Sequence, residues 1–203
     1  MGKNVLVLLA EGFEEVETVT PIDYLRRAGI NVTVAAVGKP AVEKSSDILV
    51  TGARNIQVSA CTTVEKVSGE NKLDPSAWDA VVVPGGLPGA DNIAACGVSG
   101  DFIKAMSAAG KLTAAICASP ARVLSPLGLL AGKNFTCYPG QEERVFTEKP
   151  ASSGAVYKSD PVVVDGTVIT SRSAGTAGVF SIAIVAYLLG EAEAKSLAEK
   201  LLL

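Results

Sequence analysis

Three stretches of strand length are apolar at nearly every position: Asn4 to Ala10, Asp79 to Val83 and Leu112 to Ile116. A continuous apolar run, unlike an alternating one, marks a strand covered on both faces, as in a parallel sheet with helices on either side. After the first run, Val16, Val19, Ile22 and Leu25 recur every third residue and Gly29 closes the series, which predicts a helix. Pro21 allows two starts for it. Either Thr20 caps the helix with Pro21 in its first turn, or the helix begins near Glu15 and kinks at the proline; the earlier start is favoured. Ile30 to Val37 reads as a second strand, so the chain opens with a βαβ unit, right-handed by default.

The pattern weakens from Pro40 to Pro75, where Ile48 to Val50 and Ile56 to Val58 are short β-like pieces between polar turns. Beyond the strand at Asp79 to Val83 comes a glycine-rich turn, Pro84-Gly85-Gly86-Leu87-Pro88-Gly89-Ala90, and then a helix from about Val98 to Ala109. After Leu112 to Ile116 come a short helix, a turn near Leu127-Gly128 and a β-like stretch around Phe135 to Pro139. Pro161 to Asp165 and Thr167 to Thr170 flank Asp165-Gly166, a strong two-residue hairpin signal. Ser171 to Thr176 opens a long apolar helix ending at Leu189, and Glu191 to Leu201 is amphipathic. Strands alternating with helices, unbroken by a linker or repeat, predict a single domain over residues 1–203: an α/β, flavodoxin-like three-layer sandwich with a mostly parallel central sheet.

Composition narrows the function classes. With 18 Lys and Arg against 21 Asp and Glu, the net charge of -3 offers no basic stripe for phosphate backbones or anionic membranes, so neither nucleic acid nor membrane is an expected partner. The longest near-continuous apolar run, Val179 to Leu189, falls short of the roughly 20 residues a bilayer requires. No signal-peptide pattern precedes the acidic segment Glu11 to Glu17, and a cytoplasmic setting is the default. The four cysteines, Cys61, Cys96, Cys117 and Cys137, form no C-x-x-C pair, and the chain has no histidine. That absence removes the Cys-His dyad and the Ser-His-Asp triad, together with the commonest nitrogen ligand of zinc and iron. No metal and no cofactor is expected.

Cys117 stands at a strand-to-helix turn. Such a turn lifts a side chain out of the sheet, near backbone N–H groups whose partial positive charge favours a thiolate. A buried cysteine acting as a small hydrophobe satisfies the same pattern. In an α/β sandwich, ligands bind beyond the carboxyl ends of the strands, and Glu17, Gly86 and Cys117 all lie just past such ends.

Four separated segments carry a resemblance over essentially the whole chain: Ala10 to Thr18, Pro84-Gly85-Gly86, Ala114 to Ala118 and Thr170-Ser171-Arg172. They resemble the signatures of the DJ-one/PfpI superfamily, in its DJ-one branch. The resemblance implies a homodimer and an elbow cysteine, here Cys117, held as a low-pKa thiolate by a protonated glutamate from the first βα loop, here Glu17. A carboxyl in a low-dielectric site can hold such a proton. It also assigns oxyanion donors to the backbone N–H groups of Gly86 and Ala118, and makes Gly85, Tyr138, Ser173 and Ala174 pocket candidates. PfpI-type proteases carry histidine where this chain has Ala118, so proteolysis is disfavoured. Tyr138 and Ser46 stand where the branch usually has histidine and arginine, and Ser173-Ala174 replaces a Gly-Pro pair.

The implied activity is that of a cofactor-independent glyoxalase or protein deglycase, acting on methylglyoxal, glyoxal or their protein adducts. The rival is an oxidative-stress sensor or redox-regulated chaperone, in which Cys117 is oxidised to the sulfinate. A ligand-binding module with an inert cysteine is the third reading.

Overall fold

The computed structural model of the chain describes residues 2–38, 42–44, 47–69, 74–147 and 152–203. In order, the elements are β1 (Asn4–Ala10), α1 (Glu15–Arg27), β2 (Asn31–Val37), β3 (Val42–Lys44), β4 (Asp47–Thr51), β5 (Gln57–Ala60), β6 (Thr62–Thr63) and α2 (Val64–Gly69). Next come β7 (Ala80–Val83), α3 (Gly89–Ala95), α4 (Gly97–Ala108), β8 (Leu112–Ile116), β9 (Asn134–Phe135), α5 (Glu142–Thr147) and β10 (Val156–Tyr157). The chain closes with β11 (Val162–Asp165), β12 (Val168–Ser171), α6 (Ala177–Leu189) and α7 (Glu191–Leu201).

The main sheet has seven strands in the order β11-β12-β8-β7-β1-β2-β6. Every pair in it is parallel except the β11–β12 hairpin at one edge. Residues Val5 to Ala10 of β1 are all fully buried, and their side chains divide between two cores. Val5, Val7 and Leu9 pack with Ile22 and Leu25 of α1 and Phe180 and Ile184 of α6. Leu6, Leu8 and Ala10 pack on the other face with Ile93 of α3 and Phe102, Ile103 and Met106 of α4. Because successive strand residues point to opposite faces, covering both faces requires the continuous apolar run seen in the sequence. This is the α/β sandwich with a mostly parallel sheet that the pattern predicts. Among the described residues no helix is long and apolar enough to cross a membrane.

Helix α1 takes the earlier of its two starts and runs through Pro21. Two expectations need correction. The segment after Gly86 becomes helical at Gly89–Ala95, ahead of the helix anticipated from Val98, because its amides find carbonyls without side-chain caps: Gly89 N–H donates to Gly12 O at 3.1 Å and Ala90 N–H to Gly86 O at 2.9 Å. The hairpin turn is Gly166-Thr167, one residue beyond Asp165-Gly166, since Asp165 still pairs with Val168. The β-like pieces at Ile48 to Val50 and Ile56 to Val58 fall on β4 and β5 of a separate antiparallel sheet, β3-β4-β5, whose β4–β5 turn reaches back over the first βα loop.

Candidate active site

The carboxyl ends of β1, β7 and β8 converge on one cleft of about 420 Å³. Glu17 arrives on the first turn of α1 rather than on the loop before it. The side chain of Glu14 caps that helix, its Oε2 accepting the Glu17 backbone N–H at 2.7 Å. The cap fixes the third helical residue, and the Glu17 side chain is 1% exposed.

Cys117 comes directly after β8 with φ +65°, a left-handed conformation rare for a residue with a side chain. The backbone is held there from both sides: Cys117 N–H donates to Ser171 O at 2.9 Å, and Cys117 O accepts from Tyr138 N–H at 2.8 Å. The buried hydroxyl of Ser119 donates to Pro84 O at 2.5 Å and ties the elbow to the loop after β7. The chain then makes a single π-helical turn, Pro120–Leu124, whose first residue has no N–H. The short helix expected after the turn is this single π-helical turn, and two local donors, the N–H groups of Gly86 and Ala118, face the sulfur and lower its pKa.

Gly86 must be glycine. Its φ is +93°, and a Cβ there would meet Gly12 O and Phe13 C at 2.5 Å.

Burial raises the Glu17 carboxyl from 4.5 to about 7, with the neighbouring Glu14 adding to the rise, while the Cys117 contact and the N–H groups of Gly85 and Ala174 oppose it. Its Oε2 is buried with no partner at hydrogen-bond geometry. The Cys117 thiol is pushed up to about 12, first by burial and then by the charge of Glu17 and its hydrogen bond. That rise runs against the low-pKa thiolate implied by the resemblance, but the two Glu17 contributions exist only while the carboxyl is ionised. With a proton on Glu17 they turn into a donor facing the sulfur. Carboxyl and thiol are thus one coupled acid that gives up its first proton near neutrality and holds the second far into the alkaline range.

Of the residues singled out in the sequence, Glu17, Gly86, Cys117, Ala118, Tyr138, Ser173 and Ala174 line this cleft. Gly85 lies beneath it, pinched between Glu17 and Cys117. Ser46 lies outside the described residues. The sequence reading missed Glu14, Ala53, Arg54, Leu87 and Gln141, which complete the lining. Glu14 was the one within reach, as a polar residue just ahead of a helix start. Ala53 and Arg54 belong to the β4–β5 turn, whose position depends on tertiary contacts. Among the described residues no group of three or more His, Cys, Asp or Glu side chains is placed to hold a metal ion. The chemistry on offer is a nucleophilic sulfur, a carboxyl that can carry or release its proton near neutral pH, and two backbone donors where negative charge would develop.

Residues 3–187 match the model of the DJ-1/PfpI family. The chain is 36% identical over 203 residues to Protein dj-1beta of Drosophila melanogaster, covering 100% of this chain and 98% of that protein. It is 34% identical over 202 residues to Glutathione-independent glyoxalase DJR-1.2 of Caenorhabditis elegans, covering 99% and 97% of the two. The structure of Toxoplasma gondii DJ-1, oxidized, is similar with a TM-score of 0.84 and 34% identity, covering 99% of this chain and 98% of that one. The chain spans less than half the length of two Arabidopsis thaliana relatives, Protein DJ-1 homolog A and Protein DJ-1 homolog B, at 47% and 40%.

Proposed function

The chain belongs to the DJ-1/PfpI family, and from that premise we propose that it is a cofactor-independent glyoxalase or protein deglycase acting on 2-oxoaldehydes such as methylglyoxal and glyoxal, or on their protein adducts. The observation that carries this reading is the buried Glu17 carboxyl set against the elbow sulfur of Cys117, with the Gly86 and Ala118 N–H groups beside it. A relative at 34% identity named as a glutathione-independent glyoxalase supports it.

The Cys117 sulfur forms a bond to the aldehyde carbon, and the carbonyl electron pair moves onto oxygen beside the Gly86 and Ala118 donors. Glu17 supplies the proton that makes the hemithioacetal. Its carboxylate then removes the hydrogen on the former aldehyde carbon, the electrons pass to the adjacent ketone as an enediol, and the same proton returns at the second carbon. This leaves a thioester next to a hydroxyl. Water hydrolyses the thioester, restoring the thiol and releasing a 2-hydroxy acid, lactate from methylglyoxal. No external oxidant or reductant is consumed. Adducts on Cys, Lys or Arg would yield to the same groups once the aldehyde carbon is exposed. Methylglyoxal consumption by wild type, Cys117→Ala and Glu17→Gln tests the scheme: both variants should lose turnover, and survival of activity in Cys117→Ala sinks it.

The same donors favour a second reading, a redox sensor in which peroxide converts Cys117 to the sulfinate, its new oxygens held by Gly86, Ala118 and Glu17. Mass spectrometry after mild peroxide should show a gain of two oxygens at Cys117 ahead of Cys61, which is the exposed thiol; equal oxidation of both removes this reading. A homodimer fits either function, since Val16 and Val19 of α1 stand 48% and 45% exposed. A second copy would cover them, and Val19→Glu should lower the sedimenting mass.

A further inference from the structure

The cleft of about 420 Å³ is of the size that holds drug-like ligands, which fill some 300–1,000 Å³. A three-carbon 2-oxoaldehyde leaves most of it empty. A substrate that uses the space extends from its reacting carbon toward the rim, where Tyr138 and Arg54 are exposed.

Arg54 is the one basic side chain among the described residues lining the cleft. Among the described residues its guanidinium has no carboxylate partner, and it bonds only to the neighbouring Ala53 O, from Nη1 at 3.3 Å. Glu14, the acidic residue at the same rim, is already engaged as the cap on Glu17 N–H. The backbone beneath Arg54 is fixed, by contrast. Its N–H donates to Oε1 of the buried Glu15 at 2.5 Å, Ala53 N–H donates to Phe13 O at 2.8 Å, and Gly12 N–H to Thr51 O at 2.8 Å. An unpaired cation is thus carried by a turn fastened to the loop that precedes Glu17. Fixing the backbone that carries the group lowers part of the cost of engaging a ligand.

Resting on the reading of Cys117 as a nucleophile toward 2-oxoaldehydes, we propose that Arg54 is a specificity-determining residue that selects substrates whose far end carries an anionic group, a carboxylate or a phosphate. A guanidinium fork matches both anions with paired N–H donors. With Glu14 and Glu17 as the ionisable carboxyls lining the cleft, a pocket without Arg54 would disfavour an anion. Contacts made far from the reacting carbon also lend their binding energy to orienting the aldehyde over the sulfur.

The test separates this inference from the glyoxalase reading by using alkylation of Cys117, which needs no turnover. The sulfur displaces iodide from neutral iodoacetamide or from anionic iodoacetate, and the rate at the Cys117 peptide is monitored by mass spectrometry. The iodoacetate-to-iodoacetamide rate ratio should fall about five-fold or more in Arg54→Gln, recover in part in Arg54→Lys, and fall in wild type as salt is added. Propionate or inorganic phosphate should protect wild-type Cys117 from iodoacetamide better than Arg54→Gln, and the stronger protector identifies the preferred anion. A ratio unchanged in Arg54→Gln, or protection by neither anion, overturns the inference even if methylglyoxal is turned over. Absence of methylglyoxal turnover with the ratio shift intact overturns the glyoxalase reading alone. Failure of both reagents to alkylate Cys117 overturns both.

Discussion

Glu17 and Cys117, a hundred residues apart in the chain, close on Gly85 from two sides. A Cβ on Gly85 would stand 2.5 Å from the Cys117 Cβ and 3.1 Å from Ile116 O, and would overlap the Glu17 Oε2. Carboxyl and sulfur meet because the residue between them has no side chain. Gly85→Ala should therefore separate the pair, lowering methylglyoxal consumption on the order of a hundred-fold, the scale of a 1 Å misplacement. Circular dichroism would verify that the variant still folds, and undiminished turnover would show the pairing to be unimportant.

Glu17 also sets a pH dependence of stability. A carboxyl whose folded-state pKa lies above its unfolded value holds protons more tightly when folded, so its stabilising contribution is complete below pH 4.5 and is lost as pH rises through about 7. The loss is on the order of 3 kcal/mol for a carboxyl moved that far. Urea unfolding at pH 5 and pH 8 should show Glu17→Gln gaining on wild type at the higher pH. Parallel curves for the two proteins would contradict the buried acid.

The elbow conformation makes a separate prediction. At φ +65° a Cβ is disfavoured by about 1 kcal/mol, a penalty that glycine escapes. Cys117→Gly should consequently melt above Cys117→Ala, although neither has the nucleophile. The reverse order would mean that the elbow stores no strain.

Arg122 joins the elbow to its surroundings, its Nη1 lying 2.7 Å and 2.9 Å from the two carboxylate oxygens of Asp91 on α3 and its Nε 3.1 Å from Gln141 Oε1. Because Asp91 is 49% exposed, solvent screens the ion pair. A double-mutant cycle of Arg122→Ala and Asp91→Ala should give a coupling below about 1 kcal/mol that shrinks in salt. A coupling that salt leaves untouched would rule out an ionic origin.

The amino-acid sequence by itself determined the layered α/β architecture and the placing of Cys117 at a strand-to-helix turn; Glu17 as its neighbour was implied by the family resemblance. Strands β1, β7 and β8 are legible because a strand buried on both faces has to be apolar at nearly every position, and α7 because one-sided burial writes its own period. The Cys117 elbow shows as a small residue between a strand and a restart of the apolar pattern. Only the tertiary structure decided what the cleft holds besides these. Helix α3 begins in a segment rich in Gly and Pro, and its first amide, Gly89 N–H, is satisfied by Gly12 O, a carbonyl that local sequence cannot supply. Arg54 reaches the rim because Glu15, Phe13 and Gly12 bond the β4–β5 turn across a loop some forty residues away. The Glu17 pKa has the same origin, since it comes from burial beneath groups brought together by folding. Local patterns encode which face of an element is covered; the charge and shape of a site depend on which elements cover it.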